Sequence, residues 1–117
     1  MIVDDDPVLL LLVENMLKSL GFTVLKASDG EDALEVFKRH RSQVCCVLCD
    51  VFMPSMNGWE TLSALRECDP GIPVVMSSGD ITQAHFNAGP LASHIFLAKP
   101  YKKLDLKKAL NQAMGRK

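Results

Sequence analysis

Residues 44–50 read VCCVLCD, six apolar residues followed by a single acid, Asp50. A run that is apolar on both faces is typical of a central strand in a parallel sheet, which helices cover from both sides. An isolated buried charge is costly, so the acid that ends this run calls for a functional explanation. The stretch therefore predicts a parallel sheet with a functional carboxylate at the carboxyl end of its central strand.

Short apolar runs and helical patterns alternate on both sides of this strand. Strands are predicted at 2–3, 22–27, 72–76 and 94–98, and helices run from Asp6-Pro7 to about Leu20, from Asp29 to about His40 and from Asn57 to about Asp69. A weak helix is expected over 80–88, and a clear last helix carries Leu106, Ala109, Leu110, Ala113 and Met114. Five β-α units in series predict a flavodoxin-like, doubly wound, five-stranded parallel sheet of order 2-1-3-4-5 with helices on both faces.

Composition narrows the class of protein. A chain of 117 residues fits one domain, and a net charge of −1 gives no basic face for nucleic acid. The longest apolar run, 8–13, is too short to span a bilayer, and no secretory signal pattern is present. The four cysteines lack a second cluster to complete a metal site, so we expect buried free thiols and a reducing cytoplasm.

Polar residues follow the predicted strands at the points where each strand ends. Asp4 and Asp5 follow the first strand, Asp50 the third, Ser78 the fourth and Lys99 the fifth. The carboxyl ends of parallel strands meet at one edge of the sheet, which is where ligands bind in open α/β folds. Carboxylates so close together need a cation, and their oxygens suit Mg²⁺. Each residue alone has an ordinary explanation as a cap, a loop hydroxyl or a solvated lysine; the joint placement favours a site.

These pieces resemble the receiver domain of response regulators. The resemblance rests on VDDDP at 3–7, the pattern D-x-x-M-P-x-x-N-G at 50–58, the Ser78 position and the pair Lys99-Pro100, and it covers essentially the whole chain. The family pattern more often has threonine at position 78, but serine keeps the hydroxyl. The resemblance implies a phosphoacceptor signalling switch in a two-component phosphorelay.

The resemblance also implies a role for each site residue. Asp50 would take the phosphoryl group from a phosphohistidine, and Lys99 would stabilise the phosphoryl oxygens. Mg²⁺ would be held by Asp5 directly, by Asp4 through water, by Asp50 itself and by the carbonyl of Phe52. Ser78 would bind the new phosphate and Phe96 would follow inward, which makes them the switch pair. A cis peptide is implied before Pro100.

Partners follow from the same resemblance. The donor would be a histidine kinase or a histidine phosphotransfer protein, and output would pass to a downstream protein or to other domains of a parent chain such as a hybrid histidine kinase. The chain would be no enzyme beyond intrinsic autophosphorylation and autodephosphorylation, with one receiver domain over 1–117, no output domain, and no membrane or nucleic-acid contact. We also expect Leu11, flanked by Val8 and Leu10, to face outward as a docking surface for the donor.

Three other functions stay open at this stage. A pseudo-receiver would bind partners without taking phosphate, although the acids, Ser78 and Lys99 argue for the active form. A phosphatase with an aspartyl nucleophile usually has a second acid two residues on, where this chain has Phe52. A flavin carrier would need a Ser/Thr-rich phosphate loop after the first strand, which the sequence lacks. We also expect above-average mobility over 80–94, which amide exchange would test.

Overall fold

The computed structural model describes residues 1–53, 56–79 and 95–115 of the chain. The strands are β1 (Ile2–Val3), β2 (Lys26–Ala27), β3 (Val47–Asp50), β4 (Val74–Ser78) and β5 (Ile95–Ala98). The helices are α1 (Pro7–Ser19), α2 (Gly30–His40), α3 (Gly58–Cys68) and α4 (Lys103–Ala113), with a 3-10 turn at Arg41–Gln43. The helix expected over 80–88 and the mobility expected over 80–94 lie outside the described residues.

The sheet has the predicted topology. Its five strands lie in the order β2-β1-β3-β4-β5, and all four neighbouring pairs are parallel. The register places Asp50 opposite Ser77 and Ser78 opposite Ala98, so the ends of β3, β4 and β5 meet at one edge. The fold class and the strand order are therefore confirmed, and the strand ends converge as parallel pairing requires.

Local sequence signals fix where the helices begin. The Asp6 side chain accepts hydrogen bonds from the backbone N–H groups of Val8 and Leu9, with proline at the first helical position of α1. Asp29 caps α2 in the same way. Asn57 and Glu60 exchange side-chain to backbone hydrogen bonds at the start of α3, and this capping box explains why the helix begins where the sequence predicts.

Three strands differ in their bounds from the prediction. β2 covers Lys26–Ala27 rather than 22–27, and β3 begins at Val47 rather than at Val44. The reason is pairing: the two residues of β1 pair with Lys26 and Ala27 on one side and with Leu48 and Cys49 on the other. β4 begins two residues later than expected and extends through Ser77 and Ser78, because these two residues pair with Leu97 and Ala98 of β5.

The helices pack on both faces of the sheet, as predicted. One buried cluster joins Ala33 and Phe37 of α2 and Leu62 and Leu65 of α3 to the sheet. The cluster on the other face is contributed by α1, α4 and alternate strand residues: Val13, Leu17, Leu106, Ala109, Leu110, Ile2, Leu48 and Val75. The spacing of apolar residues predicts an inward stripe of α1 at Leu9, Val13, Met16 and Leu20. In the structure Val13 and Leu17 are the buried residues of the helix, and Leu20 is only half-buried.

Two surface expectations have different outcomes. Cys46 and Cys49 are buried and free, but Cys45 is exposed, so the expectation of a buried thiol was wrong there. Cys45 lies two residues before β3 begins, and burial starts only with Cys46, the residue next to the strand. Leu11 is exposed as expected, whereas Leu10 is half-buried and Leu12 is the further exposed leucine. None of the helices in the described part of the chain is long and apolar enough to cross a bilayer.

Candidate functional site

Three carboxylates meet at the carboxyl edge of the sheet. Asp4 follows β1 and Asp50 is the last residue of β3, and both are buried, whereas Asp5 is exposed. One carboxylate oxygen of each residue lies within 4.8 Å of the other two. Asp4 is held in place because its Oδ1 accepts a hydrogen bond of 2.9 Å from the backbone N–H of Asp6. The sequence prediction that these three acids converge agrees with this geometry.

Lys99 lies between the two buried acids. Its Nζ donates to Oδ2 of Asp4 at 2.9 Å and lies 3.3 Å from Oδ1 of Asp50. The lysine follows β5 directly, and its backbone N–H donates to the carbonyl of Ser78 at 2.9 Å. Parallel pairing of β5 with β4 thus carries this ammonium group to acids that stand far away in the sequence. The peptide bond between Lys99 and Pro100 is cis.

The electrostatics of the site are unbalanced. Burial, together with the charge of Asp4, raises the pKa of Asp50 to about 6, although Lys99 opposes the shift. Burial alone would lower the pKa of Lys99, but its hydrogen bond to Asp4 and the charges of Asp50 and Asp4 outweigh burial and raise it. The two shifts have different main causes: burial raises the pKa of Asp50, whereas the two neighbouring acids raise the pKa of Lys99.

The two expected switch residues lie on neighbouring strands. Ser78 is the last residue of β4 and is fully buried, so it belongs to the strand and not to the loop that follows. Phe96 lies on β5 opposite Met76 and is half-buried. Its ring meets the indole of Trp59 edge to face, with 5.5 Å between the ring centroids and 61° between the planes.

Gly58 lies close to the end of β3. The sequence prediction did not name it as a site residue. Its N–H donates to the carbonyl of Val51 at 2.7 Å. An added Cβ at Gly58 would collide with the carbonyl oxygen of Asp50 and would lie 2.7 Å from the Cα of Val51. Only glycine therefore lets α3 begin this close to the residue that ends β3. The available signal was Asn57-Gly58, the last two residues of the D-x-x-M-P-x-x-N-G pattern, to which the sequence prediction gave no role at the site.

Two more side chains border the site. Phe52, whose carbonyl is the expected fourth metal ligand, has an exposed side chain. Tyr101 is half-buried, and burial together with the charges of Asp4 and Asp50 raises the pKa of its phenol. Sequence reasoning missed Tyr101, because nothing in the pattern places the residue after Lys99-Pro100 within electrostatic reach of the acids.

The donor set fits a hard divalent cation. Three carboxylates and one ammonium group leave two negative charges unbalanced when all four groups are ionised. Oxygen ligands of this kind suit Mg²⁺, which keeps several of its waters in such sites. The exposure of Asp5 leaves one side of the cluster open for those waters and for a phosphoryl group.

Comparison with known proteins identifies the family. The response regulator receiver domain model matches residues 1–111, so the chain belongs to this family of phosphoacceptor switches in two-component systems. Such domains receive phosphate from histidine kinases or phosphotransfer proteins. The receiver domain of the sensor histidine kinase PA1611 from Pseudomonas aeruginosa, which has a magnesium ion in its active site cleft, is 27% identical with a TM-score of 0.87 and covers 97% of this chain and 94% of that one. The chemotaxis protein CheY4 of Vibrio cholerae is 27% identical with a TM-score of 0.86, over 96% and 94% of the two chains.

Curated relatives are longer proteins. The autoinducer 1 sensor kinase/phosphatase LuxN of Vibrio harveyi is 42% identical over 80 residues, which are 68% of this chain and 9% of LuxN. The transcriptional regulatory protein GlrR of Escherichia coli is 34% identical over 116 residues, or 97% of this chain and 26% of GlrR. The chain thus spans about a tenth to a quarter of the length of these relatives, in which a receiver occurs beside other regions.

Proposed function

We propose that this chain is an active receiver, in which Asp50 accepts a phosphoryl group from a phosphohistidine on a partner. The observation that supports it most is the position of Lys99 Nζ, 2.9 Å from Asp4 and 3.3 Å from Asp50. A pseudo-receiver has no need to keep two buried acids around one ammonium group, since burying unbalanced charge costs stability. The raised pKa of Asp50, about 6, is such a cost.

The metal that fits this edge is Mg²⁺. Asp5 would bind it directly, Asp4 through a water, and the Asp50 carboxylate and the Phe52 carbonyl would complete the share of the protein. When bound, the ion supplies the positive charge that the three acids lack and that a phosphoryl group needs. The relation of PA1611, which holds magnesium in its cleft, to this chain supports the choice of metal.

The transfer itself is a displacement at phosphorus. A carboxylate oxygen of Asp50 forms the new P–O bond while the P–N bond to the donor histidine breaks, and the imidazole leaves with the electron pair and takes up a proton. Lys99 then has a phosphoryl oxygen as a further partner for its ammonium group. The residues contribute position and charge, which are the main sources of rate in phosphoryl transfer.

Ser78 and Phe96 would convert the phosphate into a change of shape. The Ser78 hydroxyl is buried at the end of β4, beside the end of β3. A new phosphate on Asp50 offers it a strong acceptor, and its movement would free space for Phe96 two residues before Ala98 on β5. The result would be a two-state element governed by a local charge change.

The phosphodonor would dock on the start of α1. Val8, Leu11 and Leu12 expose 66%, 56% and 52% of their surface, and we call these three residues the α1 patch. Leu12 also lines a groove that continues to Lys99, Pro100 and Tyr101 at the site. An apolar surface that leads directly to the acceptor edge suits the protein that delivers the phosphate.

The phosphorylated chain would transmit its signal through contacts with other proteins or domains. We propose that residues 1–117 act as the receiver unit, either toward a downstream protein or toward other domains of a parent chain. A hybrid histidine kinase is the parent that the similarity to LuxN supports. In either arrangement the activity of the unit itself is limited to gaining and losing its own phosphate.

Intact mass after incubation with acetyl phosphate and Mg²⁺ tests the proposal. The wild type should gain one phosphate, and the gain should disappear with a chelator or in Asp50→Asn. Asp69→Asn is the matched control, because it makes the same chemical change beyond the carboxyl end of α3. A wild type that gains no Asp50-dependent phosphate would identify the chain as a pseudo-receiver.

A further inference from the structure

Trp59 lies between the end of β3, at Asp50, and Phe96 on β5. It follows Gly58, whose N–H donates to the carbonyl of Val51 at 2.7 Å, just beyond Asp50. Its indole is 5% exposed and belongs to the same buried cluster as Val51 and Met76. On the other side its ring meets Phe96 edge to face at 5.5 Å. One side chain thus joins the backbone next to the phosphoacceptor to the aromatic ring on β5.

The contacts of Trp59 are unusual in two respects. Among the described residues, the buried indole Nε1 has no hydrogen-bond partner. Buried donors are nearly always paired, so the position of this indole does not depend on a hydrogen bond to the described residues. The preceding residue, Gly58, lies so close to β3 that even an added Cβ would collide with the carbonyl oxygen of Asp50. Trp59 therefore follows a residue in close contact with the end of β3, and its ring packs against the half-buried Phe96.

We propose that Trp59 is a positioning residue that couples Phe96 on β5 to the backbone at Asp50 and Val51. This inference rests on the proposed function and names the contact through which that site is regulated. Phe96 cannot turn further inward without changing its edge contact with the indole, because both rings pack against the same cluster. An aromatic pair of this geometry biases a two-state equilibrium by about two- to tenfold. Trp59 thus sets how far phosphorylation shifts Phe96, and it leaves the transfer chemistry to Asp50 and Lys99.

The chain offers a direct readout, because Trp59 is its only tryptophan. We would measure the emission spectrum and acrylamide quenching of the full chain before and after phosphorylation with acetyl phosphate and Mg²⁺. Intact mass of the same samples would give the phosphorylated fraction. The expected result is a spectral shift and a change in quenching that both follow the phosphorylated fraction, with no change in Asp50→Asn.

Two matched variants separate coupling from packing. Phe96→Leu removes the ring that meets Trp59, so phosphate gain should persist while the spectral response is lost. Phe22→Leu makes the same change at a half-buried phenylalanine in the cluster on the opposite face of the sheet, and the response should persist there. A variant that removes Trp59 itself is not needed, which avoids loss of folding.

The outcomes are distinguishable. Phosphate on Asp50 with unchanged emission and quenching would overturn the inference and leave the proposed function standing. A response that survives in Phe96→Leu would overturn it as well, because the signal would then not depend on the ring contact. A wild type that takes no phosphate would contradict the proposed function and, with it, the coupling that depends on a phosphorylated state.

Discussion

The two edges of the sheet differ in the kind of residue that they bury. At the carboxyl edge, Asp4 and Asp50 are buried around a half-buried Lys99, and the pKa of Asp50 is raised to about 6. At the amino edge the residues surround an apolar cavity of about 320 Å³, and Cys46 is among them. Burial raises the pKa of the Cys46 thiol to about 11, which keeps it neutral. Acidic side chains are thus buried at the carboxyl edge, whereas the buried thiol of Cys46 at the amino edge is neutral. The charged group at the amino edge is the α-ammonium group of Met1, which donates to the carbonyl of Cys46 at 2.8 Å and whose pKa burial lowers.

The difference separates function from stability within one fold. An unbalanced, buried group of acids weakens the metal-free protein, and the proposed binding of a cation and a phosphoryl group would offset that cost. Among the described residues, no comparable cluster of acidic side chains lies at the amino edge, so the side chains there contribute mainly through packing. If this division holds, substitutions at the carboxyl edge change activity and pH dependence, and those at the amino edge change only the free energy of unfolding.

Removal of Lys99 should have the largest effect. Lys99→Ala takes away the cation that both buried acids share, so phosphate gain from acetyl phosphate should slow by about a hundredfold. Phosphorylation rates from intact mass would measure it. Lys107→Ala, at an exposed position of α4, is the control and should leave the rate unchanged. If Lys99→Ala gained phosphate at close to the wild-type rate, the ammonium group of Lys99 would not be a main contributor to phosphorylation.

Neutralisation of Asp50 should stabilise the metal-free protein. The folded-state pKa lies above the ordinary value, so protonated Asp50 favours folding at low pH and that contribution is lost as pH rises from about 4 to about 6. In chelator at pH 7.5, Asp50→Asn should therefore raise the free energy of unfolding by about 1–2 kcal/mol, after allowance for solvent screening. Urea unfolding of both proteins at pH 7.5, where Asp50 is ionised, and at pH 4, where it is protonated, would measure the difference in free energy of unfolding in each state.

The pH dependence supplies the control for this variant. At pH 4 the two proteins should be equally stable, because Asp50 is then protonated and uncharged like asparagine. Mg²⁺ at pH 7.5 should narrow the difference, since it stabilises the ionised wild type. An Asp50→Asn protein that is less stable than the wild type in chelator would mean that the carboxyl edge is not electrostatically strained.

The α1 patch tests whether the apolar surface near the carboxyl edge is functional. Leu11→Glu should slow transfer from the cognate phosphohistidine protein by roughly tenfold, the effect of about 1.4 kcal/mol of docking. Phosphate gain from acetyl phosphate should stay the same, because this small donor needs no docking surface. Equal rates of protein-to-protein transfer in Leu11→Glu and wild type would show that the patch is ordinary surface.

A buried hydroxyl at the amino edge should have the smallest effect. Cys46→Ser places a polar group in the apolar lining of the cavity and should lower the free energy of unfolding by about 1 kcal/mol. Cys45→Ser, one residue earlier and exposed, should change it by less than about 0.5 kcal/mol. Both variants should gain phosphate at the wild-type rate. A slower Cys46→Ser would show that the two edges are coupled.

The fold was predictable because its signals are local. Asp6 before Pro7, the Asn57 and Glu60 box, and the apolar run before Asp50 each determine a helix start or a strand from a few neighbouring residues. The exact strand bounds were not predictable in this way. β2 and β3 are shorter than the predicted runs because a strand extends only as far as its neighbour offers partners. For β2 that neighbour is β1, and for the start of β3 it is β4, whose first residue pairs with Val47.

The candidate site, too, has features that local sequence predicts and features that it does not. The convergence of Asp4, Asp5, Asp50 and Lys99 follows from parallel strand ends, so sequence order was enough to predict it. The sharing of one ammonium group by Asp4 and Asp50 needs side-chain geometry that no spacing encodes. The same holds for the contact of Trp59 with Phe96, which depends on how α3 lies against β5.

Gly58 also sets how closely the start of α3 approaches the end of β3, because glycine has no side chain to separate them. Even the single carbon that alanine adds would collide with the carbonyl oxygen of Asp50, and α3 could accept it only by moving away. The position therefore offers a graded means of moving the proposed phosphoacceptor, Asp50, without altering any charge. Alanine and then serine at position 58 would lengthen the separation in small steps, and signalling output could be calibrated against that distance.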